Sequence, residues 1–261
     1  MPRYIHLHET ASTNTYLARM ASMLPSGTVI YTYNQTAGRG QRGNSWESEP
    51  GKNIAFSLLL KDIGLSPENH FYISEAASLA VAEFLSRYAE GITVKWPNDV
   101  YWRDRKICGM LIENSLQGAA IKSTIVGIGI NINQMEFRSN APNPVSLAQA
   151  TGKEYDLDTM LREVCEMVEK ELGLGGSEPG RLASLHSRYL SALYRHDGNM
   201  HTFAVPADGD RDTLAPVNIN PEGWHRFEAR IDDVTPDGLI HLTHADGTQS
   251  HHNFKEVSFV I

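Results

Sequence analysis

Lys95-Trp96-Pro97-Asn98-Asp99-Val100 is the stretch of sequence that decides the fold. It closes the β-branched, strand-like run 92–96 and turns at Pro-Asn-Asp, a combination typical of tight turns. Such a turn brings a cation, an amide and a carboxylate together at the end of a strand. Phosphate and Mg²⁺ are bound by groups of these kinds. A plain Pro-Asn-Asp turn is the simpler interpretation of this block taken alone.

A glycine-rich segment lies upstream, Gly38-Arg39-Gly40-Gln41-Arg42-Gly43. It matches the G-x-G-x-x-G pattern of dinucleotide-binding folds, but the polar stretch that follows, with Pro50 and Gly51, does not continue as a helix. A protein-kinase loop is disfavoured because the chain contains no H-R-D or D-F-G motif. We predict a mobile loop whose backbone N–H groups and two guanidinium groups wrap a phosphate or an acyl phosphate. A solvated hairpin loop is the alternative.

Two further segments carry polar groups or glycines within strand-like runs. Residues 106–113 are apolar between Lys106 and Glu113, and residues 126–133 place Gly127 and Gly129 in a β-branched run. Glycines in a strand allow a ligand or another backbone to approach closely. Taken singly, the first reads as a strand with a solvated terminal lysine and the second as a tightly packed strand.

Composition excludes several classes of protein. The chain has 261 residues, 41% of them apolar, and a formal net charge of −8, which disfavours a general nucleic-acid binder. No apolar run approaches the length of a membrane span or a signal peptide, so we expect a cytoplasmic protein that does not enter a membrane. Cys108 and Cys165 resemble buried free thiols more than a disulfide framework.

The hydrophobic pattern predicts alternating elements followed by a small β-domain. Strands are expected at 4–8, 29–33, 53–60, 92–96, 100–102, 106–113 and 121–131. Helices are expected at 12–24, from the Ser66-Pro67-Glu68 cap to 88, at Leu157–Leu172 and at 181–193, with a glycine-rich separator at 174–180. After residue 194, short alternating runs at 200–205, Trp224–Val234, 238–244 and 248–254 predict a small barrel. We therefore place a domain boundary near residue 195.

Five segments, taken in order, resemble the biotin–protein ligase family. They are Ser12-Thr13-Asn14, the Gly38 to Gly43 loop with Trp46, the Lys95 to Val100 block, Lys106-x-x-Gly109-x-Leu111-x-Glu113, and Gly127-x-Gly129-x-Asn131. The resemblance implies an α+β fold over residues 1–195. This catalytic domain is expected to be a mixed β-sheet with flanking helices, of the class II synthetase-like biotin/lipoate ligase type. The tail from Trp224 is similar to the family's C-terminal SH3-like β-barrel, which implies that barrel over residues 196–261.

The resemblance also implies roles for particular residues. Biotin contacts are expected from Ser12, Thr13, Asn14, Gln35, Arg39, Gly40, Gln41 and Lys106. ATP and Mg²⁺ contacts are expected from Arg42, Trp46, Lys95, Asn98, Asp99 and Asn131, with Lys106, Arg39 and Lys95 as the catalytic cations. Gln41 and Asn44 stand where arginines can occur in other members, so a contact from Gln41 is expected through its backbone more than its side chain.

The activity implied by the resemblance is ATP-dependent ligation. Biotin and ATP would give biotinyl-5′-AMP, and biotin would pass to a lysine of a biotin carboxyl carrier protein, from acetyl-CoA carboxylase or a related carboxylase. A lipoate–protein ligase is the alternative enzyme. A DNA-binding repressor is disfavoured, because only eleven residues precede Ser12. No structural metal and no nucleic-acid partner are expected, and homodimerisation is left open.

Overall fold

The computed structural model describes residues 3–118, 120–139, 141, 143–173, 180–206 and 224–261. Its largest element is a seven-stranded mixed sheet in the order β1-β2-β5-β9-β8-β7-β6. The strands of this sheet are β1 (Arg3–His6), β2 (Thr28–Thr32), β5 (Ile54–Lys61), β6 (Ile92–Lys95), β7 (Asp99–Trp102), β8 (Arg105–Gln117) and β9 (Ala120–Ile130). A separate two-stranded ribbon is formed by β3 (Gly38–Arg39) and β4 (Ser45–Trp46). The mixed sheet confirms the α+β prediction.

The centre of the sheet is covered on both faces. β5 is apolar along almost its whole length and buried as far as Leu60, as expected for a strand with helices above and below. Leu59 points toward Leu17 of the first helix, whereas Leu58 and Leu60 belong to the larger core on the opposite face.

Five α-helices are described: α1 (Thr13–Met20), α2 (Phe71–Ser86), α3 (Leu147–Thr151), α4 (Leu157–Leu172) and α5 (Arg181–Ala192). Ser12 caps α1, accepting a hydrogen bond from the backbone N–H of Thr15 at 3.4 Å. The helix ends at Met20 instead of reaching residue 24. The short α3, which carries a complete capping box, was not predicted.

The predicted start of the second helix is wrong. Ser66 begins a separate 3₁₀ turn at Pro67–Asn69, because its hydroxyl accepts a hydrogen bond from the Asn69 side chain at 3.0 Å and does not cap a helix. α2 begins only at Phe71, whose backbone N–H donates to the carbonyl of Pro236 at 3.0 Å. The C-terminal part of the chain therefore supplies the cap that the local sequence does not.

A second, five-stranded antiparallel sheet follows. Its strands are β10 (His201–Pro206), β11 (Trp224–Val234), β12 (Ile240–His244), β13 (Gln249–His252) and β14 (Ser258–Phe259), in the order β13-β12-β11-β10-β14. This small C-terminal sheet agrees with the SH3-like prediction, although the two-residue β14 was missed. It touches the larger sheet at the Trp96 indole, which donates to the Gly238 carbonyl at 3.0 Å.

A partly buried charged cluster joins α2, α5 and β11. His186 lies between Glu75, at 2.7 Å, and Asp233, at 2.9 Å. Burial raises the pKa of the fully buried Glu75 to about 7. Burial lowers the pKa of His186, but its hydrogen bonds to the two carboxylates outweigh this and leave the pKa above its ordinary value. These pKa shifts predict that the contacts at the junction between the two sheets depend on pH.

Both cysteines are buried free thiols, as predicted. In the described part of the chain, none of the helices combines the length and apolar character needed to cross a membrane. The described residues also contain no group of three or more His, Cys, Asp or Glu side chains placed to hold a metal ion.

Candidate active site

A cleft of about 410 Å³ lies on the face of the seven-stranded sheet that carries α1, beneath the β3–β4 ribbon. It is lined by all the predicted site residues whose side chains are described: Ser12, Thr13, Asn14, Gln35, Arg39, Gly40, Gln41, Trp46, Lys95, Asn98, Asp99, Lys106 and Asn131. The backbone of Arg42 lies in the 3₁₀ turn Gln41–Gly43, and its side chain falls outside the described part. Residues far apart in the sequence thus meet in one cavity.

The start of α1 forms one end of the cleft. The Thr13 backbone N–H donates to Gln35 Oε1 at 2.9 Å, and the Ser57 hydroxyl donates to Thr13 Oγ1 at 2.8 Å or to Asn14 Oδ1 at 2.5 Å. The Asn14 amide donates in turn to the Glu113 carboxylate at 2.9 Å. Each polar group is therefore held in place before any ligand arrives, which suits recognition of a polar ring.

Gly127 makes room for this polar end. A Cβ atom at Gly127 would lie 2.0 Å from Asn14 Oδ1, well inside van der Waals contact. The glycine in β9 therefore allows the Asn14 side chain to approach the sheet. The sequence pattern indicated a close approach here but did not reveal the partner, and it gave no sign of Ser57.

The glycine-rich segment folds as a hairpin over the cleft. Gly38 pairs with Trp46 and Arg39 with Ser45, and the Gly40 N–H donates to the Asn44 carbonyl at 2.6 Å. Arg39 forms an ion pair with Glu113 at 3.1 Å and donates to Thr15 Oγ1 at 3.3 Å. The segment is thus a hairpin, as in the alternative interpretation, but Arg39 fastens it to β8 and α1.

Trp46 packs on a platform made by two glycines. Gly109 and Gly129 are opposite each other on β8 and β9, and added Cβ atoms would lie 2.9 Å and 2.6 Å from the indole ring. No side chain other than hydrogen leaves room for the ring there. The indole Nε1 is buried without a hydrogen-bond partner among the described residues. The ring and its N–H therefore form part of the cleft wall.

Two lysines and one carboxylate set the charge at the middle of the cleft. Lys106 Nζ lies 2.7 Å from Asp99 Oδ1 and 5.8 Å from the Trp46 ring. Its side chain is 27% exposed, so it is not the fully solvated strand-end lysine that the simpler interpretation proposed. The ion pair holds the Lys106 ammonium group in the space between the polar end of the cleft at α1 and the Trp46 ring.

Lys95 differs from the expected lysine at an open strand end. Its ammonium group lies 4.7 Å from the Phe259 ring and 5.2 Å from the Tyr101 ring, and the residue is only 6% exposed. Burial lowers its pKa to about 8, and the nearby Asp99 carboxylate limits the fall. The C-terminal sheet, through Phe259, therefore encloses a lysine of the cleft.

Two asparagines and Asp99 supply oxygen atoms beside the lysines. The Asn98 amide nitrogen donates to the Met110 carbonyl, which fixes the side chain. Asn131 donates to the Val145 carbonyl at 3.1 Å, while its Oδ1 is buried without a partner in the described chain. The Asp99 carboxylate and the Asn98 amide oxygen are donors suited to Mg²⁺. The unpaired Asn131 oxygen can accept a hydrogen bond from a ligand.

The outer wall of the cleft depends on Glu47, which the sequence did not single out. Its carboxylate accepts hydrogen bonds from the backbone N–H of Arg138 at 2.9 Å and of Ser139 at 2.6 Å. It also accepts one from the Gln134 side chain at 3.0 Å. Arg138 is 91 residues from Glu47 in sequence, so no local pattern marks this contact.

Comparison with known proteins shows which family this chain is similar to. Residues 7–131 match the Biotin/lipoate A/B protein ligase family. The biotin--[acetyl-CoA-carboxylase] ligase of Paracoccus denitrificans is 30% identical over 161 residues, which cover 59% of this chain and 67% of the relative. The bifunctional ligase/repressor BirA of Bacillus spizizenii is 33% identical over 169 residues, covering 62% and 48%. The chain thus spans about half the length of the BirA relatives it matches.

A solved structure extends the similarity over the whole chain. The biotin protein ligase from Aquifex aeolicus, in complex with biotin and ATP, superposes with a TM-score of 0.73 at 26% identity, covering 99% of this chain and 98% of the other. The chain therefore belongs to the biotin/lipoate A/B protein ligase family. Within that family, these relatives carry the names of biotin ligases rather than lipoate ligases.

Proposed function

We propose that this chain joins biotin to ATP, forming biotinyl-5′-AMP, and then transfers biotin to a lysine of a biotin carboxyl carrier protein. The observation that carries the proposal is the position of Lys106. Its ammonium group lies in the cleft beside Asp99, between the polar end at α1 and the Trp46 wall. Relatives named biotin--[acetyl-CoA-carboxylase] ligase support biotin and a carboxylase subunit as the substrates.

The first step brings two anions together. A biotin carboxylate oxygen attacks the α-phosphorus of ATP, the bond from that phosphorus to the bridging oxygen breaks, and pyrophosphate leaves with the electron pair. Lys106 and Arg39, both in the cleft, offset the repulsion and stabilise the charge that develops on the phosphoryl oxygens. An enzyme nucleophile is not needed for this exchange.

We assign the two substrates to opposite ends of the cleft. We assign the biotin ring to Ser12, Thr13, Asn14 and Gln35, which hydrogen bonds hold in fixed positions and which would therefore discriminate against an analogue without a ureido group. We assign the nucleotide to the side of Trp46, Asn131 and Lys95. Arg42, Gly40 and Gln41 belong to the covering hairpin. Mg²⁺, when held by Asp99 and Asn98, supplies charge neutralisation at the phosphates.

The second step consumes the mixed anhydride. The carrier's lysine, as a free amine, attacks the biotinyl carbonyl carbon, an amide bond forms, and AMP leaves as the bond from carbonyl carbon to phosphate oxygen breaks. Water competes for the same carbon. The hairpin fastened by Arg39 to Glu113 lies over the cleft and limits that access.

We further propose that residues 1–195 carry this chemistry, that residues 196–261 form the accessory barrel, and that the cytoplasm is the site of action. Two buried, unpaired cysteines support a reducing compartment. The lack of a nucleic-acid partner stays a prediction from the sequence, and homodimerisation stays open.

A competition between acids tests the function. The purified protein is incubated with ATP, Mg²⁺ and either biotin or lipoic acid, with an unmodified biotin carrier domain or lipoyl domain as acceptor. Pyrophosphate release and the acceptor's mass are measured. Biotin, but not lipoic acid, is expected to give both pyrophosphate release and an increase in the mass of the acceptor. Activity with lipoic acid and none with biotin would establish the alternative ligase instead.

A further inference from the structure

Ser57 lies behind the polar end of the cleft, in contact with two of its residues. It is fully buried in β5, and the cleft lining includes Thr13 and Asn14 but not Ser57. Its hydroxyl oxygen lies 2.8 Å from Thr13 Oγ1 and 2.5 Å from Asn14 Oδ1. A hydroxyl group has a single hydrogen. Ser57 can therefore donate to only one of these two oxygens at a time.

The orientation of the Asn14 amide is fixed by its position across three strands. Cross-strand neighbours on β5, β9 and β8 form a row: Ser57, Gly127 and Leu111. Asn14 lies over the glycine in the middle. Its amide nitrogen donates to the Leu111 carbonyl at 3.0 Å and to the Glu113 carboxylate at 2.9 Å, and both of these groups only accept hydrogen bonds. Asn14 Oδ1 must therefore face Ser57.

The hydroxyl hydrogen of Ser57 is directed to Asn14 by the needs of the two acceptors. Among the described residues, Ser57 is the one hydrogen-bond donor to Asn14 Oδ1, and a buried acceptor without a donor destabilises the folded protein. Thr13 Oγ1 has no such need, because it carries a hydrogen of its own. When Ser57 donates to Asn14, its oxygen is left to accept a hydrogen bond from Thr13.

Two acceptors behind the cleft wall then compete for the Thr13 hydrogen. They are Ser57 Oγ, at 2.8 Å, and Gln35 Oε1, at 3.3 Å. Thr13 therefore presents a lone pair, and not its hydrogen, to the cleft. Gln35 Oε1 also accepts from the Thr13 backbone N–H at 2.9 Å, which orients the Gln35 amide with its N–H₂ group turned away from Thr13. The polar end thus offers an acceptor on Thr13 and a donor on Gln35.

We propose that Ser57 is a positioning residue: by directing its hydroxyl hydrogen to Asn14, it makes Thr13 Oγ1 an acceptor toward the cleft, so that this end selects a ring with an N–H at that point. This inference rests on the proposed function, since the ureido ring of biotin supplies that N–H. The ureido carbonyl oxygen is then the partner of the Gln35 amide. A ring with an oxygen atom in place of the N–H would bring two lone pairs together, which is repulsive.

Binding of ring analogues provides the test. Calorimetry gives the dissociation constants of biotin and of the two cyclic carbamates in which an oxygen atom replaces one or the other ureido N–H. Each carbamate keeps the size of the ring and lacks one donor. We define the penalty as the dissociation constant of the weaker-binding carbamate divided by that of biotin. In wild type we expect a penalty of roughly 10² or more, because a site built to hydrogen-bond an N–H rejects an analogue that lacks it.

Two variants separate the direction of the hydrogen from simple packing. In Ser57→Ala, Thr13 loses one acceptor and its hydrogen can turn toward the carbamate oxygen, so we expect the penalty to fall at least about tenfold. Thr124→Val is the matched control. It also removes a buried hydroxyl of the same sheet, which donates to Asn114 Oδ1 at 2.7 Å, and neither residue lines the cleft. Thr124→Val should keep the wild-type penalty.

A third variant covers the case in which Ser57→Ala does not fold. Ser57→Cys keeps a polar hydrogen in a similar volume, but a thiol is a weak donor and a weak acceptor. Its penalty is expected to lie between the penalties of wild type and Ser57→Ala, and at least about threefold below that of wild type.

The outcomes distinguish this inference from the proposed function. If wild type bound neither biotin nor the carbamates, the proposed function would fall. If wild type bound biotin and both carbamates equally tightly, the role of Ser57 would be overturned while the proposed function stood. The same holds if the Ser57 variants weakened all three ligands by one factor and kept the wild-type penalty, since lost packing would act in that way.

Discussion

Lys106 and Asp99 determine how charge is arranged at the centre of the cleft. Without substrate, each neutralises the other at 2.7 Å. In the proposed reaction, a carboxylate and a triphosphate would add negative charge on the side of the lysine, and Asp99 would help to hold Mg²⁺. Lys106 would then exchange its contact with Asp99 for contacts with the substrates.

Lys106→Ala is expected to remove most adenylation while the fold persists. The loss of one preorganised charged group that acts in the transition state typically lowers the rate by roughly 10²–10³. Biotin-dependent pyrophosphate release at saturating substrates measures it, beside a melting curve. Lys122→Ala, an exposed lysine on β9, is the control and should behave as wild type. An unchanged rate in Lys106→Ala would return this residue to an ordinary strand-end lysine.

Gly127→Ala is expected to affect the biotin end selectively. Its methyl group would lie 2.0 Å from Asn14 Oδ1, so Asn14 must move away from Ser57 and Glu113. Overpacking of this kind costs about 1–3 kcal/mol, which corresponds to a rise in the KM for biotin of roughly 5- to 150-fold. Steady-state kinetics with each substrate varied would show it.

Gly129→Ala is the matched comparison, because its methyl group meets the Trp46 ring at 2.6 Å and leaves Asn14 untouched. Its main effect is expected on the KM for ATP. If Gly127→Ala and Gly129→Ala each changed the KM for biotin and the KM for ATP equally, the assignment of the two substrates to different ends of the cleft would be contradicted.

At the scale of elements, most strands and the helix α4 follow from local pattern, whereas the start of α2 and the coverings of the site do not. α4 and β11 have the predicted bounds, because apolar periodicity and caps specify them. The glycine-rich segment is different. Its hairpin depends on Arg39 reaching Glu113, 74 residues away, and its outer neighbour depends on Glu47. Contacts of that range leave no periodic signal in a single sequence.

Gln41→Arg tests whether the hairpin's low charge lets the adenylate escape. Gln41 lines the cleft with a neutral side chain, and an arginine there would add a cation near the acyl phosphate. We expect the variant to label bystander lysines roughly two- to fivefold less than wild type, because an added ionic contact is worth up to about 1 kcal/mol. Quantitative blotting of self-biotinylation, with carrier transfer as the reference rate, gives the comparison. Equal bystander labelling would exclude a role for this charge in retention.

At the scale of the whole molecule, the two sheets share both a boundary and an active site. Lys95 is enclosed by Phe259, and Phe254 reaches the cleft lining. The sequence predicted that a small β-domain follows residue 195, since turns and alternation are local. It could not predict the junction, where Trp96 bonds to a carbonyl 142 residues away. The Lys95 to Val100 block, which decides the fold, therefore also contributes to the interface between the two sheets.

The Glu75–His186–Asp233 cluster predicts how stability varies with pH. Because the pKa of His186 is raised in the folded state, this residue contributes stability that is fully present at pH values below its pKa in the unfolded chain. That stability is lost as the pH rises through its pKa in the folded protein. The pKa of Glu75, raised to about 7, has the same sign, because ionisation of this carboxyl opposes folding above its unfolded value. The melting temperature is expected to fall from roughly pH 5 to pH 8.

We attribute the slope of melting temperature against pH to the Glu75–His186–Asp233 cluster, and substitutions can test this. Glu75→Gln keeps a hydrogen-bonding side chain without a titrating proton, and it should flatten the dependence of melting temperature on pH. His201→Asn, which removes a ring bonded to Asp197 at the surface, should retain the wild-type slope. Differential scanning fluorimetry across the range is sufficient. A Glu75→Gln slope equal to wild type would place the pH dependence elsewhere.

The hydrogen bond from the Phe71 N–H to Pro236 also has a consequence for synthesis of the chain. At translation rates of about 5–20 residues per second, the ribosome exposes α2 roughly 8–30 s before the carbonyl that caps it. Trp96 likewise precedes Gly238, whose carbonyl accepts its hydrogen bond, by 142 residues. Through that interval the part of the nascent chain that forms the large sheet is therefore without these contacts to the C-terminal sheet.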